Sequence, residues 1–169
     1  DTPLPAEVVF HPSWWYKNAG IVFDRDFFFH PLKRIEEELR MEKALYERWG
    51  RYGLGSARAE PLPVIGPVHL AAGFMVSGMM GCRIEYLENG SPLVVPGEAD
   101  MDSFDPGAPF ASNMFRDFIA LSDALKTRFG YLTGDADWNG ILNTALDVFG
   151  QRVFMEMADN PPRVRKLFD

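Results

Sequence analysis

Cysteine and histidine are scarce: one Cys and three His in 169 residues. Cys82 alone cannot form an internal disulfide, and so few ligands do not make a closed structural zinc site of the usual spacing. Both absences point to a reducing, cytoplasmic compartment. No apolar run is long enough to cross a bilayer, so no membrane association is expected. Basic residues are the minority, 17 Lys and Arg against 24 Asp and Glu, for a net charge of −7. That balance leaves no broad cationic surface for a phosphate backbone, and nucleic acid is not expected as a partner. The chain opens on Asp1 without the charged and apolar regions of a signal peptide and stops soon after Pro162, so a processed product, a split subunit or an incomplete chain is expected.

What the chain does have is hydrophobic residues (47%), 14 Phe, 15 Gly and 13 Pro. Many turns between short elements, around an aromatic core, would use such a composition. Glu7 to Phe10 is a β-prone run, and Pro12 and Gly20 punctuate the aromatic stretch after it, which reads as a loop. From Pro31 to Trp49 the apolar positions Leu32, Ile35, Leu39, Leu45 and Trp49 recur at helical spacing, with Glu36 four residues ahead of Arg40. Val68 to Met80 is apolar nearly all round and reads as a buried helix. Asn89-Gly90 lies between two β-prone segments and predicts a hairpin with a type I′ turn, Pro92 marking an edge arm.

The acidic segment Glu98 to Pro109, rich in Gly and Pro, reads as a surface loop. Ser112 or Asn113 caps a helix that ends at Gly130. Tyr131 to Thr133 is a strand, Gly134 to Gly140 a polar loop, and Ile141 to Phe149 a helix. Gly150 separates that helix from one running through Met157, and Asn160 precedes a last helix opened by Pro161-Pro162. Short strands alternating with helices predict βα units with parallel pairing, whose chemistry gathers at the carboxyl ends of the strands. Those ends are the loops His11 to Gly20 and Gly134 to Gly140.

Several segments in order resemble the uroporphyrinogen decarboxylase superfamily, which includes corrinoid-dependent methyltransferases. Trp14-Trp-Tyr-Lys-Asn-Ala-Gly20 stands where the family has Trp, any residue, Met, Arg, Gln, Ala, Gly. Gly140-Ile-Leu-Asn-Thr-Ala-Leu146 is similar to its small-residue helix. Phe154-Met-Glu-Met-Ala-Asp-Asn-Pro161 and Arg163-Val-Arg-Lys-Leu-Phe168 resemble the family segments just after that helix. Met80 to Leu93 is similar to the family's Gly-containing helix end and hairpin. The resemblance implies the amino-terminal part of a (β/α)8 TIM barrel, in one domain over 1–169, with a β-hairpin insertion and about three or four barrel strands. A complete barrel takes ~250 residues. The remaining half of the barrel or a partner subunit is therefore expected to close it.

Departures separate the family's chemistries. Lys17 stands at the first arginine of the carboxylate-binding motif and Ile21 at the second, and an isoleucine cannot pair with a carboxylate. The acid that faces the pyrroles would fall near Ala71 or Ala72. Asp147 replaces the tyrosine of the small-residue helix. These losses favour the methyltransferase branch, which implies a corrinoid supplied by a partner protein and a zinc bound by residues outside this chain. Decarboxylation of a tetrapyrrole is the first alternative, and a non-catalytic half-barrel that completes a partner is the second.

Candidate residues come from the two loops. His11, Asp135 and Asp137 have the chemistry of proton transfer. Trp14, Trp15, Lys17, Asn18, Trp138, Asn139 and Asn143 could line a substrate pocket. Each has a plainer reading: core packing for the tryptophans, solvated charge for Lys17, capping and turn formation for the aspartates. His30, His69, Cys82 and the eight Met are read as structural.

Overall fold

The computed structural model describes residues 8–68, 70–136 and 139–168. Helix α1 (Pro12–Ala19) starts where the sequence suggests an aromatic loop, and residues 8–10 before it form no strand. The same residues explain the difference. Pro12 sits in the first turn, where its missing N–H costs nothing. The His11 side chain accepts from the Ser13 amide, and Gly20 closes the helix at φ 64°, a left-handed cap. Punctuation that marks a loop also marks the two ends of a short helix.

α2 (Arg25–Phe29), capped by Asp24, leads into α3 (Pro31–Trp49), the helix expected from the 3.6-residue pattern. Phe27, Phe28, Ile21, Phe23 and Phe74 are almost wholly withdrawn from water, and with Trp15 and Met75 they form the largest core cluster. Each buried Phe stabilises the fold by roughly 1.5–3 kcal/mol relative to exposure. Edge contacts such as Phe28 on Phe74, 4.8 Å between centroids at 66°, lock the rings together.

β1 (Val64–Ile65) comes after a long connection. The expected helix from Val68 to Met80 is shortened to α4 (Met75–Met79). Gly66, Gly73 and Leu70 all have positive φ, so the chain turns repeatedly before a helix can propagate. β2 (Arg83–Glu85) and β3 (Leu93–Val95) pair antiparallel, with Arg83 opposite Val95, as the hairpin reading expects. Its turn is different. Residues 86–92 make a longer connection, and neither Asn89 nor Gly90 has the positive φ of a type I′ turn. Pro92 lies just outside β3, where it withholds no ladder donor.

α5 (Asn113–Phe129) begins at a Ser112 side-chain cap and ends at Gly130, φ 80°. The strand expected at 131–133 is displaced to β4 (Thr133–Gly134), which pairs parallel with β1: Val64 opposite Thr133, Ile65 opposite Gly134. α6 (Ile141–Phe149), α7 (Arg152–Asp159) and α8 (Pro161–Phe168) complete the chain in the expected order. The fold is mixed α/β, 54% helical. Among the described residues there is one parallel pair rather than three or four barrel strands, and no closed barrel.

One buried cation ties α3 to this pair. Arg34 is 0% exposed, donates through Nη1 to the Gly66 carbonyl at 2.8 Å and through Nε to Glu38 at 2.8 Å. Its guanidinium also lies 4.8 Å from the Phe27 ring centroid. Burial lowers its pKa, and the Glu38 carboxylate opposes that shift. Arg40 donates to the Ala19 carbonyl at 2.5 Å, so α3 also holds the end of α1.

Candidate functional site

Two chain crossings at the carboxyl ends of β1 and β4 define the site. Gly66 comes directly after β1 at φ 78°, and a Cβ there would collide with the Asp135 carbonyl oxygen. Gly134 ends β4 at φ 96°, and a Cβ there would collide with the Ile65 carbonyl. Only glycine permits both approaches. A third glycine, Gly73, lies against the Asn139 side chain, with Cγ 3.4 Å from where a Cβ would stand. The loops after the two parallel strands are therefore packed on each other.

Below this junction α4 meets α6. The Ser77 hydroxyl, 0% exposed, donates to Asp147 Oδ2 at 2.6 Å, and Asn139 Nδ2 donates to the same oxygen at 3.3 Å. Asn139 Oδ1 in turn accepts from the Gly140 amide at 3.1 Å. A carboxylate fixed by a buried hydroxyl thus orients an amide at the start of α6. The Cys82 thiol donates to the Asp147 backbone carbonyl at 3.3 Å. Burial first, then the Asp147 charge, pushes its pKa up.

Asn139 also lines an apolar groove of about 430 Å³ bounded by α4, α6, the 104–106 segment and the end of α8. Asp135 is exposed at the end of β4, and Asn143 is exposed on α6. Asp137 and Trp138 lie outside the described residues, as does His69.

The other candidates sit elsewhere. His11 is exposed at the start of α1, where Nδ1 accepts from the Ser13 amide at 3.2 Å and lies 2.7 Å from the Ser13 hydroxyl. Trp15 is buried in the main core. Trp14 packs against both Phe10 (4.5 Å) and Trp49 (5.5 Å), with Arg48 over its ring at 5.4 Å. Lys17 is exposed, and Asn18 Nδ2 donates to the Trp14 carbonyl at 2.9 Å. This set rides on α1, which packs against α3, whereas α6 packs against α4 and α7. No hydrogen bond or ring contact among the described residues joins the α1 set to the Asp135–Asn143 set.

Sequence reasoning missed Ser77 and the use made of Asp147. Ser77 is the one hydroxyl within an apolar run, and Asp147 falls four residues after Asn143 on a helix otherwise rich in apolar residues. Ser77 is the lone polar residue of α4, whereas Asp147 is one of three polar residues on α6, so the sequence carries a signal for the first partner and none for the pair. Among the described residues no group of three or more His, Cys, Asp or Glu is placed to hold a metal ion. None of the helices described is long and apolar enough to cross a membrane.

The fold and site define a mixed α/β protein with a parallel strand pair and a polar cluster at its carboxyl end. No family model matches the chain, and neither a curated protein nor a solved structure does.

Proposed function

We propose that this chain supplies the amino-terminal strands and helices of a uroporphyrinogen decarboxylase-like (β/α)8 barrel and acts in corrinoid-linked methyl transfer from a small methylated donor. The supporting observation is the parallel pairing of β1 with β4 across a long crossover. Parallel neighbours need such a crossover, and the loops after them form the reactive mouth of an α/β barrel. Residues 66–74 and 135–140 are those loops here, with the β2–β3 hairpin as an insertion between them.

In this reading Asp135 and Asp137 handle protons at the mouth, and Trp138, Asn139 and Asn143 contact the donor. His11, Lys17 and Asn18 lie on the α1 side, away from this junction, and Trp14 and Trp15 pack in the aromatic core, so none of the five is given a part in the transfer. Ile21 is 0% exposed, so the position that would carry a second carboxylate-binding arginine is committed to packing. That favours methyl transfer over decarboxylation of a polycarboxylated tetrapyrrole. The corrinoid, brought by a partner protein, supplies the cobalt between which and the substrate the methyl group moves. A zinc site finds no ligand cluster among the described residues.

The test is the absorption spectrum of methylcobalamin mixed with a thiol and the chain in its complete assembly. The spectral change is expected at least about tenfold faster than without protein, and Asp135→Asn is expected to return it most of the way to the protein-free rate. A rate equal to the protein-free rate overturns the proposal. Release of carbon dioxide from uroporphyrinogen by the same assembly would move the assignment to the decarboxylase branch.

A further inference from the structure

The groove beside α6 carries an inference that stands apart from methyl transfer. Its wall is made by Val76, Met80, Phe104, Ile141, Val148 and Phe149, and no Lys, Arg, Asp or Glu among the described residues lines it. A charged ligand would lose its hydration there with nothing to replace it. Phe104 and Phe149 meet edge to face at 5.3 Å and 75°, a rigid aromatic surface that a flat apolar body can join. At about 430 Å³ the space lies within the range of small-molecule sites. It opens to solvent at Ile141, which is 76% exposed despite its apolar side chain.

Two polar residues among those described line the groove, Asn139 and Thr144. Asn139 is held by the buried Ser77–Asp147 pair. The Thr144 hydroxyl donates its proton to the Gly140 carbonyl at 3.2 Å. A hydroxyl has one proton and two acceptor lone pairs, so Thr144 Oγ1 meets a ligand as an acceptor. We infer that this groove binds a small, uncharged, mainly apolar molecule bearing one hydrogen-bond donor, such as an alcohol or phenol O–H, which Thr144 accepts.

The test uses 4-propylphenol and its methyl ether, 4-propylanisole, titrated into the chain by ligand-observed NMR or calorimetry. Saturable binding is expected, with the phenol about tenfold tighter, the size of effect one hydrogen bond can give. Thr144→Val keeps the shape, and it should cut that preference to threefold or less while the ether binds as before. Ile141→Glu places a charge at the groove entrance and should weaken both ligands about tenfold or more, whereas Ile119→Glu on the exposed part of α5 should change neither. Circular dichroism confirms that each variant is folded. Absence of saturable binding, equal affinity for the two ligands, or indifference to Ile141→Glu overturns the inference. Methylcobalamin spectra report on none of these outcomes, so the two proposals fail separately.

Discussion

Asp147 shows how much one side chain organises here. Its Oδ2 receives both the Ser77 hydroxyl and the Asn139 amide, and its backbone carbonyl receives the Cys82 thiol. Asp147→Ala strands a hydroxyl that no water reaches, and the cost is about 1–3 kcal/mol, read from urea unfolding midpoints. Asp147→Asn retains an acceptor and is expected to lose less. The same residue tunes Cys82. A thiol whose folded pKa lies above its unfolded value contributes stability that is fully present below about pH 8.5 and is lost as pH rises toward the folded pKa. Iodoacetamide alkylation should therefore show a pH midpoint above about 8.5. Asp147→Asn should bring that midpoint down only part way, because burial is the larger cause and remains.

Among the elements, α3 was legible from its apolar periodicity, α5 from periodicity together with the Ser112 cap and the closing Gly130, and α6 from the breaks at Gly140 and Gly150. α1 was not legible. At eight residues it is too short to be stable alone, and its packing against α3 and the aromatic core decides its conformation. The Val68 to Met80 segment failed for the opposite reason, since its uniform apolar character hid the backbone turns at Gly66, Leu70 and Gly73. Of the candidate site, the polar loop after β4 could be read from its position, but Ser77 could not, because its partner lies 70 residues away. Arg34 likewise looks like one charge among many on α3, yet it is buried and bonds the carbonyl of Gly66, the residue that follows β1. Arg34→Met leaves the Gly66 carbonyl and Glu38 without their donor. Glu38 is partly exposed, so the loss is expected at the lower end of the range for a broken buried pair, about 3 kcal/mol. Arg34→Lys, with a point charge in place of a fork, should recover part of it. Thermal or urea unfolding of the two variants gives the order.

For the whole molecule, the parallel pair is the feature on which the barrel proposal depends, and its tightness can be measured. Gly66 and Gly81 both have positive φ, 78° and 96°. They differ in their surroundings: a Cβ at Gly66 runs into the Asp135 backbone, while at Gly81 no atom of the described residues lies within 4 Å. Gly81→Ala therefore carries only the left-handed backbone penalty, roughly 1–2 kcal/mol. Gly66→Ala carries that penalty and must also push apart the loops after β1 and β4, since a backbone carbonyl cannot swing aside as a flexible side chain can. The expected outcome is a loss at Gly66 at least about 2 kcal/mol greater than at Gly81, the cost of forcing a packed site open. Faster amide exchange should accompany it in both loops, and in neither α7 nor α8. Equal losses at the two positions would mean that the loops are not pressed together. The reactive mouth assigned to their junction would then lose its physical basis, whatever the strand register.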